Sequence, residues 1–279
     1  YYLELKKQIA EQHRDLTIAT IFSFAPNEAD SADGILDDES FDRKDFLKRV
    51  AVSPECPKSS CPSPDAYMEL YGGAEKRVYV VTLSAELSGS YNSAQLGKEL
   101  WKEENEDGDK QIYVFNSRSA SVGESLIALK IQECEEKGYS FEEVIEHVEA
   151  YIEEQHTYFV LENLDTLRKN GRLTGIKSLM ASALNIKPVM GSTPEGTICQ
   201  LGQARGVKKA IAKMAEHIVA DGKNTENKVL AIAHCNCPER AREIERMILD
   251  KIKVKDSFIV ETGGISTMYA NDGGIIVVL

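Results

Sequence analysis

The chain has no apolar run long enough to cross a bilayer. Its longest, Val78 to Leu83 and Gly273 to Leu279, fall well short of the roughly 18 residues that a spanning helix needs. It is also poor in positive charge, with 33 Lys and Arg against 45 Asp and Glu and a net charge of −12. That balance argues against sequence-independent nucleic-acid binding and against a peripheral site on anionic lipid, since both rely on basic patches. Six cysteines, scattered at 56, 61, 134, 199, 235 and 237, do not form a disulfide framework and point to a reducing cytoplasm. The first residues lack a basic segment followed by an apolar stretch, so no signal peptide is read there, and the missing initial Met implies that the natural start lies upstream. Several catalytic signatures are missing too. Gly89 to Lys98 fails the spacing of a phosphate-binding loop, no G-x-S-x-G elbow occurs, and neither H-E-x-x-H nor an Asp-x-Asp loop supports a metal.

What is present is an ordinary globular composition, 42% hydrophobic and 28% charged, over 279 residues. At roughly 150 residues per domain this implies about two domains. From Arg77 the pattern alternates. Val78 to Leu83 is a β-branched run suited to a strand buried on both faces, Tyr91 to Trp101 a helix, Gln111 to Phe115 a strand and Gly123 to Glu136 a helix. That alternation implies a parallel sheet with crossover helices. Ser140 and Glu143 form a capping box, and Phe141, Val144, Ile145, Val148 and Ile152 then share one helical face. Thr157 to Leu161 is extended again, which places a domain boundary near Leu161, giving an α/β domain over 1–161 and an α+β domain over 162–279. The second domain is expected to hold a hairpin of Ile186–Met190 with Thr197–Leu201 and helices over Val207–Ala220 and Pro238–Ile252. Its further strands are read at Val229–Ala233, Phe258–Glu261 and Ile275–Leu279. Asn27 to Asp45 reads as an acidic, mostly solvated stretch, and the lone Trp101 as a core residue.

The most informative segment runs from Thr82 to Ser93. It places Ser84, Ser88, Ser90, Ser93 and Gly89 between the carboxyl end of a strand and the start of a helix. Ligands of open α/β sheets sit there, and helix-start N–H groups with serine hydroxyls can hold a carboxylate or phosphate. The competing reading is an ordinary helix cap. A second hydroxyl cluster, Lys58-Ser59-Ser60-Cys61-Pro62-Ser63-Pro64, reads by itself as an extended loop leading into a helix near Pro64. Asn170-Gly171 is a turn signal, and Arg172 is either a bidentate anion contact or a solvated cation. His234-Cys235-Asn236-Cys237 lacks the spacing of a zinc site and reads as a thiol cluster at a strand end.

Taken in order, these pieces resemble the DegV family of fatty-acid-binding proteins. Ser59-Ser60-Cys61-Pro62-Ser63-Pro64 is similar to the family's T-S-Q-P-S-P, and Leu87-Ser88-Gly89-Ser90-Tyr91 to its L-S-G-T-Y. Asn116-Ser117, Gly171-Arg172 with Leu184 to Pro188, and Arg205 with Lys208-Lys209-Ala210 also match. The resemblance implies a Rossmann-like α/β domain followed by an α+β domain, enclosing one long-chain fatty acid such as palmitate, stearate or oleate in a tunnel between them. It implies a carrier without catalytic residues, cofactor or metal, which presents the acyl chain to a separate fatty acid kinase subunit for acyl-phosphate formation. Carried onto this sequence, the ligand-binding positions are Ser59, Ser60, Ser88, Gly89, Ser93, Arg172 and Ala270, with Ser88 ranked first for the head group, and Arg205 is the partner-facing position. Two departures stand out. The family's H-x-G-P-G falls on Ala270-Asn271-Asp272-Gly273-Gly274, without the histidine and with an acid that would repel a carboxylate. The family's first strand, with its Asp-Ser pair, would precede Tyr1. The alternatives are a serine-dependent acyl hydrolase, for which none of the five histidines stands in a recognisable catalytic context, and a related carrier of a different lipid.

Overall fold

The computed structural model describes residues 17–20, 41–105, 108–173 and 185–279. Most of the acidic stretch Asn27–Asp45 therefore lies outside the described residues, as does Leu184. The chain divides into two compact units. One comprises β1 (Thr17–Thr20) with residues 59–120 and 124–154, and the other comprises residues 41–58, 121–123 and 155–279.

The first unit is a small doubly wound α/β fold. Its strands β1, β2 (Arg77–Thr82) and β3 (Gln111–Asn116) pair in parallel in the order β1-β2-β3. Successive side chains of a strand point to opposite faces, and here both faces are covered. Val78, Val80, Ile112 and Val114 pack under α2 (Pro64–Tyr71) and α3 (Ser90–Glu104) through Tyr67, Tyr71 and Ala94. Tyr79, Val81 and Phe115 pack under α4 (Val122–Glu136) and α5 (Phe141–Glu154) through Ile127, Ile131, Val144 and Val148. The capping box at the start of α5 forms as read: Glu143 N–H donates to Ser140 Oγ at 3.3 Å, and Ser140 N–H donates to Glu143 Oε2 at 2.8 Å. Trp101 is only half-buried, with the Lys110 ammonium 5.5 Å from its ring centre, so it edges the core rather than filling it.

The second unit is built on a six-stranded mixed sheet. Its strands are β4 (Thr157–Val160), β5 (Ile186–Ser192), β6 (Ile198–Arg205), β7 (Val229–His234), β8 (Asp256–Glu261) and β9 (Ile275–Val278), in the order β6-β5-β4-β9-β7-β8. The expected hairpin is present as the antiparallel β5–β6 pair. Strand alternation again produces two layers. Tyr158, Val160, Val189, Ile232, Ile275 and Val277 face α7 (Val207–Asp221) and α8 (Pro238–Leu249). Phe159, Leu161 and Met190 face the opposite way, with Leu167 of α6 (Asp165–Lys169) and Ala270 of α9 (Gly264–Ala270). The tail of the acidic stretch begins α1 (Arg43–Val52), where Asp42 caps the helix by accepting Asp45 N–H at 3.0 Å. Arg43 ties α1 to the sheet edge, donating to Thr262 O at 2.9 and 2.7 Å and pairing with Glu261 at 2.6 Å. No described helix is long and apolar enough to cross a membrane.

Candidate functional site

In the first unit, β2 and β3 end side by side, with Thr82 paired to Asn116. The loops that follow these two strands lie beyond their carboxyl ends, the side on which open α/β sheets bind ligands, and this chain fills them with hydroxyls. Asn116 organises the rim: its Oδ1 accepts Ala85 N–H at 3.0 Å and Arg118 N–H at 3.2 Å. Ser84 N–H donates to Ser119 O at 2.9 Å, so the loop after β2 is stitched to the loop after β3. The turn then closes through Leu87 N–H and Ser88 N–H on Ser84 O, at 3.0 and 3.1 Å.

Gly89, not a serine, occupies the cap position of α3, and no side chain caps that helix there. Ser88 Oγ instead accepts Ser90 N–H at 3.2 Å and lies 2.9 Å from Ser90 Oγ. In the neighbouring loop the capping work belongs to Ser63, whose Oγ accepts Ala66 N–H at 3.2 Å, with Pro64 at the first helical position. Ser59 and Ser60 lie just before it and are half-buried. Cys61 joins the two hydroxyl clusters: its Sγ is 3.8 Å from Ser93 Oγ, and a Cβ on Gly89 would lie 3.2 Å from that sulfur. The loop of Ser59 to Ser63 and the turn of Ser88 to Ser93 are thus brought together within this unit. Tyr67, which no motif marks because it sits in the apolar pattern of α2, is fully buried, and its hydroxyl has no hydrogen-bond partner among the described residues.

The second unit holds Arg172, Ala270 and Arg205. Asn170-Gly171 makes the expected turn, Gly171 taking φ +75°, and it delivers Arg172 with its guanidinium carbon 5.7 Å from the centre of the Tyr269 ring. Stacking on an aromatic face suits a planar guanidinium and orients it. Ala270 is buried in the apolar layer with Phe159 and Leu161, so it can supply packing but no polar contact. In the loop that follows, Asp272 accepts a hydrogen bond from Asn236 Nδ2 at 2.9 Å. Gly273 stands at φ +85°, where a Cβ would press on Arg240 and Glu162. Glu162 pairs with Lys187 at 2.8 Å and with Arg240 at 3.0 Å, and Arg240 also donates to Gly273 O. Burial alone would raise the Glu162 carboxyl, but these two cations hold it below its usual range. Lys44 and Lys48 of α1 face Asn163, Asn236, Asn271 and Asp272 across a separate surface cleft of about 580 Å³. Arg205 is exposed at the end of β6, with Lys208 and Lys209 exposed on the first turn of α7.

The thiols near His234 are held by local bonds. Cys237 N–H donates to His234 Nδ1 at 3.3 Å, and Cys235 N–H donates to Gly274 O at 2.9 Å. Burial raises both thiols, Cys237 to about 11, so neither is a ready thiolate. Among the described residues no group of three His, Cys, Asp or Glu is placed to hold a metal ion.

Comparison with known proteins agrees with this architecture. A DegV domain-containing protein of Streptococcus pneumoniae is 34% identical over 260 residues, which is 93% of this chain and 91% of that protein. The crystal structure of a DegV family protein from Ruminococcus gnavus, solved with vaccenic acid, matches with 65% identity and a TM-score of 0.86, covering 89% of this chain and 88% of that one. The Streptococcus pneumoniae Fatty Acid Kinase (Fak) B3 protein, loaded with linoleic acid, matches with 33% identity and a TM-score of 0.80, covering 89% and 86%. The family model described as "uncharacterised protein, DegV family" matches residues 30–279, and the chain belongs to that family.

Proposed function

We propose that this chain is a carrier that binds one long-chain fatty acid by its carboxylate at the Ser88 turn and catalyses no reaction of its own. The observation that carries the reading is the turn itself, a rim of hydroxyls beyond two parallel strands in which Ser88 is not consumed as the cap of α3. The solved relatives from Ruminococcus gnavus and Streptococcus pneumoniae, which hold vaccenic and linoleic acid, support a ligand of that class. Energetics favour it as well. Burying about fourteen methylenes at about 0.8 kcal/mol each gives on the order of 11 kcal/mol before the costs of association. The head group then needs only a few charge-assisted donors to set orientation. A hydrolase would need a base beside Ser88, whereas the partners of its Oγ are the N–H and Oγ of Ser90.

The name of the Fak B3 relative supports a kinase subunit as the protein partner, and exposed Arg205, beside Lys208 and Lys209, is the proposed contact. Six free thiols favour a cytoplasmic setting. Native mass spectrometry of protein purified from bacteria should reveal a co-purified fatty acid; an empty protein that also ignores added palmitate would sink the reading. Replacing Ser59 and Ser88 together by alanine should weaken palmitate binding about tenfold or more, and unchanged affinity would move the head group elsewhere. Arg205→Glu should keep palmitate affinity and lower the yield of acyl phosphate with a fatty acid kinase; undiminished yield removes Arg205 from the interface.

A further inference from the structure

Three loops meet at one end of the sheet in the second unit. Ile275, the first residue of β9, pairs with Val160 at the end of β4 on one side and with His234 at the end of β7 on the other. Asn163, Asn236, Asn271 and Asp272 lie within a few residues of these positions and so share one rim. Helix α1 lies against that rim, tied by Arg43 to Thr262 O and Glu261 at the end of the adjoining β8. The cleft between them, about 580 Å³, has the size of a small-molecule site. Its α1 wall is one helical face, since Lys44, Leu47, Lys48 and Ala51 follow the i, i+3, i+4, i+7 spacing. The two arginines of α1 are paired, Arg43 with Glu261 and Arg49 with Asp45, at 2.6 Å each. Lys44 and Lys48, one turn apart, have no ion-pair partner among the described residues.

The facing wall is preset. Cys235 N–H donates to Gly274 O at 2.9 Å, Gly273 N–H to Cys235 O at 2.8 Å, and Asn236 Nδ2 to Asp272 Oδ1 at 2.9 Å. Asn236 and Asn271 both stand at φ +55°, a region that asparagine tolerates, which accounts for amides at those two positions. It does not account for the two unpaired lysines opposite. Two neighbouring ammoniums match a dianion better than a single carboxylate, and lysine binds phosphate as a point charge. Asp272 repels such a group, which sets the phosphate on the α1 side and leaves Asp272 and the amides to meet hydroxyls. Leu47, Val50 and Ala51 add an apolar strip along the same helix, suited to a flat ring. We propose that this cleft binds a nucleoside monophosphate, its phosphate on Lys44 and Lys48, its sugar hydroxyls toward Asp272 and its base on the apolar strip. The inference stands apart from the carrier reading, because no residue of the Ser88 turn takes part in it.

Titration calorimetry of the full chain with AMP should show saturable binding, and amide chemical-shift changes should centre on Lys48, Asn236 and Asn271. Adenosine and inorganic phosphate should each bind about tenfold more weakly than AMP or worse, because each lacks one half of the contacts. The Lys44→Gln, Lys48→Gln variant should lose about tenfold or more in AMP affinity while adenosine affinity changes little. Both lysines are exposed, so the variant should fold, which thermal melting verifies. Inorganic phosphate binding as tightly as AMP would reduce the cleft to an ion contact and overturn the proposal. Adenosine as tight as AMP, or AMP affinity unchanged in the double variant, would remove the lysines from the site and overturn it too. Shifts centred outside the cleft, or no binding of AMP at millimolar concentration, would do the same. Palmitate binding in a protein that ignores AMP would overturn this site alone, and AMP binding in a protein that ignores palmitate would overturn the carrier reading alone.

Discussion

At the residue scale, Gly89 controls how closely the two hydroxyl clusters approach. A Cβ there would sit 3.2 Å from Cys61 Sγ, a contact that a small shift of the sulfur relieves but a branched side chain does not. Gly89→Val should therefore push the Ser59–Ser63 loop off the turn and weaken palmitate binding about tenfold, whereas Gly89→Ala should be mild. Cys61→Ala in the Gly89→Val background should recover part of the loss; titration calorimetry on the three variants decides, and no recovery would show that Cys61 is not the obstacle. The serines of this turn stand out in the sequence as a hydroxyl cluster at a strand end, although spacing alone reads such a cluster equally as a helix cap. Tyr67 and Tyr269 are not legible. Each lies on a helix among apolar neighbours, where a tyrosine reads as core, and only three-dimensional placement leaves the Tyr67 hydroxyl buried without a partner among the described residues and brings the Tyr269 ring under Arg172.

At the scale of elements, strands and helices with a clean period are readable. β2 is a β-branched run, and α5 has both its capping box and an apolar face. α1 is hidden because Phe46 is its only buried residue, so no apolar stripe announces it. α9, a seven-residue Gly-Ile-Ser-Thr-Met-Tyr-Ala segment, has weak helix formers and is held by burial of Thr267, Met268 and Ala270. The placement of β9 between β4 and β7 is equally silent, since the C-terminal strand reaches back about 120 residues in sequence to pair Val160 with Ile275. The α2–α3 contact carries a prediction of its own. Gly97 lies where a Cβ would meet Pro64 O at 2.6 Å, a backbone atom that cannot swing aside. Gly97→Ala gains up to about 1 kcal/mol of helix propensity, but overpacking of this kind costs about 1–3 kcal/mol. The variant should be less stable in urea with an unchanged m-value, and a gain in stability would show that the helices can separate at no cost.

For the molecule as a whole, charge and burial pull stability in opposite directions as pH falls. With a net charge of −12, acidification relieves self-repulsion and should stabilise the fold. Two histidines oppose this, buried His234 and surface-exposed His156. Partial desolvation lowers His156, helped by Lys228, and burial lowers His234 against the opposing pull of Glu261. A histidine whose folded pKa is depressed contributes stability that is complete above its unfolded value of about 6.5 and is lost as pH falls through the folded one, because the unfolded chain binds the extra proton. Glu162 shows the same sign in a different window: its stabilisation is present above the unfolded carboxyl value of about 4.3 and is lost only below it. Between pH 7.5 and 5.5 the histidines are thus separable from that carboxylate. A His156→Gln, His234→Gln variant should be less sensitive to acid over this range than the wild type, its melting temperature falling less or rising as pH drops, whatever its absolute stability at pH 7.5. Parallel melting curves for the two proteins across that range would mean that neither histidine is held neutral by the fold.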